Sequence, residues 1–244
     1  MASFPSNVTQ YRRRLVRNGA ELYNDPPTLP PRAEVVSDTD RRPRRRCDLS
    51  GDRSNDEYIF DDFPEFRPNR SPVEILAAGA FGGSYFRPIT SSVTGIKYDS
   101  DDVIVTTLRR SWIREIRRLN RPIDSPTSDP AANRYGVRSG GSLGMWESSG
   151  WITEIDPYGW FQWYCRFFAG RRSTDDARQV DRWAKCAGPQ GRFRCQLCNL
   201  VLRRQTTADD VTISPVIRQN LLHWGLELTA EHVDQHIERT LTYA

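Results

Sequence analysis

The segment GWFQWYCRFFAGRRSTDDARQVDRW, residues 159–183, holds the densest group of side chains capable of chemistry. It contains five arginines and three aspartates among seven aromatic residues. A guanidinium group offers a planar fork that binds phosphate or carboxylate and also stacks on aromatic rings. Arg178 and Arg182 share one face at helical spacing. Arg171 and Arg172 lie at a turn just before a helix, where backbone N–H groups also attract anions. The segment therefore predicts a phosphate-binding helical hairpin.

The same arginines could instead stabilise the fold. Asp175 and Asp176 lie at the start of the second helix and would neutralise an anion site, so the alternative is an internal network of arginines with Asp175, Asp176 and Asp181. Under that alternative, Arg172→Ala strands a charge and destabilises the protein. Under the binding hypothesis, Arg172→Ala leaves stability nearly unchanged and weakens binding to polyanions.

The aromatic residues of this segment follow a helical period. Their spacing of i, i+3, i+4, i+7 and i+8 describes one broad helical face, which favours a packed core over a platform that stacks nucleic-acid bases. Tyr164 and Trp183 are expected to reach the surface. The face comprises Trp160, Trp163, Tyr164, Phe167 and Phe168.

Four residues near the C-terminus have the types of a zinc site. Cys195 and Cys198 make one half of such a motif, and His232 and His236 could make the other. The two cysteines fall inside an amphipathic segment, however, where residues three positions apart simply share a helical face. We therefore predict no metal and no cofactor, and we expect the domain to fold without zinc.

An enzyme that uses the Arg/Asp hairpin together with His223 is the second functional hypothesis. The chain contains no P-loop, dinucleotide fingerprint, Ser-His-Asp order or HExxH helix, so no reaction class is indicated. Cys165 lies within the aromatic helix and is predicted to be a buried, inert thiol. A structural or adaptor protein, in which the Arg–Asp network only stabilises the fold, is the third hypothesis.

Residues 69–244 contain mostly helical periodicity, together with residues that typically start and stop helices. The short link between the two central helices predicts an antiparallel hairpin, and SYFRPI predicts a small extended part. The fold class is therefore mainly α, as a single helical domain around that hairpin. The other predicted helical segments are SPVEILAAG, TLRRSWIREIRRLNRP, SLGMWESSGWI, RFRCQLCNLVLRR, SPVIRQNLLHWG and TAEHVDQHIERTL, with Ser71, Ser173 and Thr229 as expected helix caps.

Residues 1–68 predict a disordered tail, because proline and charge are frequent and no helical or alternating period persists. The block RRPRRR fits a nuclear import signal, a nucleic-acid-binding arm or solvated charge. YIFDDFPEF, which mixes aromatic and acidic residues, could dock on the folded part, and the tail could bind a protein partner.

The net charge of +4 combines 33 arginines with two lysines. GC-rich codon usage explains such a ratio as well as function does, so the clustering of arginines is the better evidence. No run of about eighteen apolar residues is present, and no membrane partner is expected. An odd number of cysteines without a secretory signal favours an intracellular location, cytoplasmic or nuclear. YRRRLVR near the N-terminus leaves mitochondrial targeting as an alternative.

Three stretches carry a resemblance to a known family. They are GAFGGSYFR, SLGMWESSGWITEIDPYGWFQWYCRFFAGRRSTDDARQVDRW and SPVIRQNLLHW. The chain resembles a widespread uncharacterised family of fungi, plants, protists and bacteria with the pattern DPxGWFQWYCR, GRRxxDDxRQxxRW and RQxLxHW. The resemblance covers about residues 71–226 and implies a single folded domain, and it carries no assigned activity.

Together these observations favour a helical module that binds a phosphate-bearing partner, with nucleic acid preferred. The candidate binding residues lie on the hairpin and on the segment that ends in HWG. They are Arg166, Arg171, Arg172, Arg178, Gln179, Arg182, Trp183, Arg218, Gln219 and His223.

Overall fold

The structure is a computed structural model that describes residues 41–46 and 57–242. This part of the chain is mainly helical, which confirms the predicted fold class. Two small antiparallel sheets accompany the helices. The strands are β1 Arg44–Arg46, paired with β2 Glu57–Ile59, and β3 Ile89–Thr90, paired with β4 Lys97–Tyr98. The helices are α1 Pro72–Ala77, α2 Ser100–Thr107, α3 Arg110–Arg118, α4 Leu143–Ser148, α5 Trp160–Phe168, α6 Asp176–Cys186, α7 Arg192–Arg203, α8 Pro215–His223 and α9 Ala230–Thr242.

Two of the predicted helix caps form as expected. At α1, the hydroxyl of Ser71 accepts the backbone N–H of Glu74, and the Glu74 carboxylate accepts the backbone N–H of Ser71 at 2.7 Å. At α9, the hydroxyl of Thr229 accepts the backbone N–H of His232 at 3.3 Å. These reciprocal bonds satisfy backbone donors that a helix start leaves without an intrahelical partner.

Helices α5 and α6 form the predicted antiparallel hairpin. The indole of Trp160 donates to the backbone carbonyl of Gln179 at 3.3 Å, and the indole of Trp163 donates to the Asp176 carboxylate at 2.8 Å. Later residues of α5 therefore contact earlier residues of α6, as expected for antiparallel helices. The predicted cap at Ser173 is wrong by two residues, because Asp175 occupies the N-cap position of α6.

Helix α5 is buried on every side, not on one face. All nine of its residues are buried, and the surrounding helices and loops cover it completely. The expectation that Tyr164 and Trp183 reach the surface is wrong, because Tyr164 lies on α5 and Trp183, on α6, is buried as well. Their polar atoms are satisfied inside the protein: the Tyr164 hydroxyl donates to the carbonyl of Arg70 at 2.8 Å, and the Trp183 indole donates to the carbonyl of Trp224 at 2.9 Å.

The predicted boundary between tail and domain is also wrong. The sequence predicts disorder up to residue 68, with docking of YIFDDFPEF on the folded part as an alternative. Residues 57–68 do pack into the core, where Phe60 and Phe66 are almost completely buried. This packing was not evident from the sequence. Proline and charged residues are frequent in the segment, and its apolar side chains follow neither a helical nor a strand period. Residues 41–46 of the predicted tail are also described and contain strand β1, whereas residues 1–40 and 47–56 lie outside the described residues.

The segment SYFRPI does not form the expected extended part. It is a series of turns, and strand β3 begins only at its last residue, Ile89.

None of the helices within residues 41–46 and 57–242 combines the length and the apolar character needed to cross a lipid bilayer.

The packing of YIFDDFPEF leads to a test of the corrected boundary. Phe66 is fully buried and meets Trp183 edge to face with ring centroids 5.0 Å apart. We expect Phe66→Ala to lower the free energy of unfolding by about 3–5 kcal/mol, as for other buried phenylalanines. The neighbouring exposed residue supplies the control, so Glu65→Ala should change stability by less than about 0.5 kcal/mol. Equal effects in chemical denaturation would contradict this packing.

Candidate functional site

The carboxylate of Asp156 binds two arginines of the hairpin inside the fold. Its Oδ1 accepts hydrogen bonds from Arg166 at 2.9 Å and Arg171 at 2.8 Å, and its Oδ2 accepts a second bond from Arg171 at 2.6 Å. All three side chains are almost completely inaccessible to solvent. Arg166 and Arg171 were predicted to bind a ligand. Their side chains are not accessible to solvent in this arrangement, so a polyanion could not contact them.

Arg172 is held by contacts of three kinds. Its guanidinium group makes a bidentate ion pair with Asp62, at 2.6 and 3.0 Å, and its central carbon lies 3.8 Å from the ring centroid of Phe167. It also donates to the backbone carbonyl of Phe167 at 2.9 Å. Burial acts to raise the pKa of Asp62, but the hydrogen bonds and charge of Arg172 outweigh it and lower that pKa. Asp62 belongs to the segment that was predicted to be disordered.

The two aspartates at the start of α6 make different contacts. Asp175 makes the expected internal pair with Arg178, at 2.5 and 2.8 Å, and also accepts from the Gln179 amide at 2.8 Å. Asp176 accepts from the Trp163 indole and from Ser173, and burial raises its pKa to about 6. The remaining aspartate of the hairpin, at position 181, is exposed and pairs with a lysine of its own helix.

Arg182 differs from the other four hairpin arginines, because no carboxylate among the described residues forms an ion pair with it. Its guanidinium carbon lies 5.4 Å from the ring centroid of Trp151 and 5.6 Å from that of Trp224. It donates to the side chain of Gln179 at 2.9 Å. Burial, assisted by the charge of Arg178, lowers its pKa to about 10, so the group still carries its positive charge at neutral pH.

A cavity of about 350 Å³ opens beside Arg182. Its walls are mostly aromatic, and Met145 and Trp151 are both exposed large apolar side chains at its edge. A more polar cavity of about 250 Å³ adjoins it and adds Arg87, Arg138 and several serines. The two cavities share Phe81, Tyr85, Gly140, Gly141, Trp146, Tyr158 and His223, so they form one cleft with an aromatic half and a polar half.

His223 contributes one nitrogen to the wall of both cavities. Its Nε2 accepts the backbone N–H of Phe81 at 3.1 Å and faces the amide nitrogen of Gln219 at 2.9 Å. A backbone N–H can only donate, so the neutral ring must carry its proton on Nδ1. That nitrogen lies beside Gly140, where an added Cβ would come within 4.0 Å of it. Burial lowers the pKa of His223 to about 3, which keeps the ring neutral.

Phe81 has a strained backbone at the same wall. Its φ of 62° and ψ of 18° place a bulky side chain in the left-handed region that glycine prefers. The Phe81 ring stacks on the His223 ring, with centroids 4.1 Å apart and an angle of 16° between the planes. Such strain persists only where the surroundings impose it, and it is concentrated at binding and active sites.

The other predicted residues of helix α8 have supporting positions. Arg218 is buried and donates to the backbone carbonyls of Ile213 at 2.9 Å and Ala208 at 2.8 Å, so it anchors the preceding loop. Gln219 accepts the backbone N–H of Tyr135 at 3.2 Å and orients His223 through its amide group. Of the ten predicted site residues, Arg182 and His223 line the cavity.

The structure adds cavity residues that the sequence did not single out. Asn220 lines the cavity, and its Oδ1 is a buried acceptor without a hydrogen-bond partner among the described residues. Its spacing of three residues from His223 on α8 was an available signal, since both side chains face the same way. Phe81 belongs to the motif GAFGGSYFR, but nothing in the surrounding sequence indicated its left-handed backbone conformation.

The cysteines and histidines near the C-terminus make hydrogen bonds to other groups of the same chain. The thiol of Cys198 donates to the carbonyl of His232 at 3.8 Å, and Nε2 of His236 lies 2.9 Å from the amide oxygen of Asn199. Within residues 41–46 and 57–242, no group of three or more histidine, cysteine or acidic side chains is placed to hold a metal ion. Cys165 is buried as predicted, and burial raises the pKa of its thiol well above the ordinary value.

Comparisons with known proteins supply no further assignment. No protein-family model matches the chain, and neither the curated proteins nor the solved structures include a significant match. The resemblance stated from the sequence motifs therefore stays a prediction.

The internal arginine network predicts a large effect at its central carboxylate. Asp156→Asn leaves the guanidinium groups of Arg166 and Arg171 without their shared anion, and we expect the free energy of unfolding to fall by about 3–5 kcal/mol. Asp181→Asn is the matched control, because it breaks only the exposed pair with Lys185 and should cost less than about 1 kcal/mol. Similar unfolding midpoints for the two variants would refute the role of Asp156.

The pKa of His223 predicts a loss of stability in acid. The folded protein resists protonation of this ring down to about pH 3, whereas the unfolded chain accepts the proton near pH 6.5. The free energy of unfolding should therefore decrease as the pH falls below 6.5, by up to about 1.4 kcal/mol per pH unit. The buried His232 has a pKa near 3 as well, and Asp176 acts in the opposite direction.

Comparison with a variant isolates the contribution of His223. His232 and Asp176 titrate in both proteins, so only His223 separates the stability–pH profile of the wild type from that of His223→Gln. We expect the wild type to lose about 2–3 kcal/mol more than the variant between pH 6.5 and 4.5. Parallel profiles in urea denaturation would show that the histidine is not held neutral by burial.

Proposed function

We propose that the protein binds a planar heteroaromatic ligand carrying a phosphate group, such as a nucleotide, in the aromatic half of the cleft. The observation that carries the proposal is Arg182: a half-buried guanidinium group at the cavity wall, without a carboxylate partner among the described residues. The phosphate-bearing partner expected from the sequence is thus kept, while the binding residues move from the whole hairpin to this one arginine and its surroundings.

The size and walls of the cavity support a ligand with a flat ring. Its volume of about 350 Å³ lies at the lower end of the roughly 300–1,000 Å³ that is usual for small-molecule sites. Trp151, Trp160 and Trp224 line it together with Phe81 and Phe161. A ring that enters replaces water beside these faces and gains stacking contacts on them.

The charges of the cavity support an anionic group on that ligand. Its lining includes Arg182 and Arg192, and no acidic residue from the described part of the chain. A guanidinium group held between Trp151 and Trp224 has lost much of its hydration. A bound phosphate would restore an ionic partner through charge-assisted hydrogen bonds.

Two hydrogen-bonding groups on α8 favour a ring that has polar edges. Nδ1 of His223 is a donor, and Oδ1 of Asn220 is a buried acceptor without a hydrogen-bond partner in the described part of the chain. A heteroaromatic ring with one acceptor and one donor on its edge, as in a nucleobase, would satisfy both atoms. A hydrocarbon ring would leave them both without partners, at a cost of about 1–3 kcal/mol each.

The alternatives draw on other observations. The adaptor hypothesis is supported by the burial of Arg166 and Arg171 against Asp156, since these residues are engaged in the fold. The enzyme hypothesis has less support, because Nε2 of His223 already accepts a backbone N–H and the ring has no other nitrogen that could accept a proton.

Calorimetric titration with the four ribonucleoside 5′-monophosphates tests the proposal, with adenosine and inorganic phosphate as partial ligands. We expect at least one nucleotide to bind more tightly than either part. Arg182→Gln should weaken nucleotide binding about tenfold or more, the effect of losing one charged hydrogen bond, and leave adenosine binding unchanged.

The control is Arg203→Gln, an equal change of charge on an exposed residue at the far end of α7 from Arg192. It should leave binding unchanged. Thermal unfolding of each variant verifies that the fold is intact. If none of the nucleotides binds, the proposal fails. If Arg182→Gln weakens adenosine and nucleotide equally, the arginine supports the cavity wall and does not bind the phosphate.

A further inference from the structure

A second positively charged site lies on helix α3, apart from the cleft. Arg110, Arg114 and Arg117 follow a spacing of four and three residues, so they lie on one face of the helix. Arg118 lies next to this face in the last turn, and Arg121 follows shortly after the end of the helix. All five side chains are exposed, and we call them the arginine face.

The arginine face carries little compensating negative charge. Glu115 pairs with Arg118 at 2.7 Å. No carboxylate among residues 41–46 and 57–242 forms an ion pair with Arg110, Arg114, Arg117 or Arg121. This contrasts with the hairpin, where carboxylates of the described residues form ion pairs with four of the five arginines.

The fold brings part of the basic block RRPRRR to the start of the same helix. Arg42 donates to the carbonyl of Ala169, and its positive charge adds to the effect of burial in lowering the pKa of Arg109, the residue before α3. Arg44 and Arg45 of that block are directed to the carboxylates of Asp61 and Glu74. Positive charge from two distant parts of the sequence therefore meets at the N-terminal end of the arginine face.

We propose that the arginine face binds the phosphate backbone of duplex nucleic acid, without preference for base sequence. The chemistry of the face supports this partner. Guanidinium forks match phosphate geometry, and a row of them releases condensed counterions when it meets a duplex. The row has no exposed aromatic side chain, so it offers no platform for the unstacked bases of a single strand.

The opposite side of α3 disfavours an anionic membrane as the partner. A helix that binds at a lipid surface inserts an apolar face between the headgroups. The apolar face of α3 is not available for insertion, because Trp112 and Ile116 are buried in the core and Trp112 packs against Phe168 with ring centroids 5.8 Å apart.

The arginine face is separate from the nucleotide site proposed above. Trp160, at the first turn of α5, lines the cavity, whereas Phe168, the last residue of α5, packs under α3. The two sites therefore lie at opposite ends of α5. Failure at one site does not imply failure at the other.

Fluorescence anisotropy with a labelled 20-base-pair DNA duplex and the full chain tests the proposal over a range of salt concentrations. We expect binding at low salt, with log affinity falling linearly against log salt concentration. Arg114→Gln/Arg117→Gln should weaken binding and reduce the magnitude of that slope by about two units, close to one for each lost phosphate contact. Thermal unfolding midpoints should stay unchanged, because both side chains are exposed.

Matched variants distinguish a site from general charge attraction. Arg203→Gln/Arg204→Gln removes the same charge from exposed residues at the C-terminal end of α7 and should leave the slope unchanged. Equal weakening by the two double variants would overturn the proposal, as would absence of duplex binding by the wild type. So would preferential binding to a single strand of the same length or to phosphatidylserine vesicles.

Discussion

The buried carboxylate of Asp156 is the interaction on which the arrangement of the hairpin depends. It precedes α5 in the chain, and its partners Arg166 and Arg171 lie in the last turn of α5 and in the link to α6. One anion therefore connects the entrance of the helix to its exit. Charges this deeply buried are tolerated only in such paired geometry, so the network restricts the chain to one way of entering and leaving α5.

With α5 held in this way, the surrounding elements have defined places. Phe66 from the N-terminal side packs on one part of the helix, and Trp224 from the end of α8 packs on another, 4.6 Å from Trp160 between ring centroids. The outer side of α6 then carries Arg182 to the edge of the core. Its location beside tryptophan rings, without an ion pair to a carboxylate among the described residues, makes it the hairpin arginine best suited to meet a ligand.

The cleft combines features that a purely structural core would avoid. Phe81 has an unfavourable backbone conformation, His223 is buried in its neutral form, and Asn220 has an acceptor without a partner among the described residues. The backbone of Phe81 and the acceptor of Asn220 cost stability at any pH, the neutral His223 costs stability in acid, and all three converge on one wall. The rest of the core, which is dense with paired aromatic rings, offsets this cost. The concentration of unfavourable features next to an open cavity is the physical basis for placing function there.

The sequence by itself determined eight of the nine helices in the described residues, whereas α2, Ser100–Thr107, was not predicted. Caps such as Ser71 and the helical period of the aromatic residues act locally, over three or four positions, so they are visible in the sequence. The tertiary structure decided which partner each side chain meets. Asp156 and Asp62 engage arginines 10 to 110 positions away in sequence, and the aromatic residues before position 69 join the core without any local period. Such choices depend on packing between distant segments, which no window of sequence contains. The same reason separates Arg182 from the four other arginines of its hairpin: all five have the same chemistry, and only the fold decides which one is left facing a cavity.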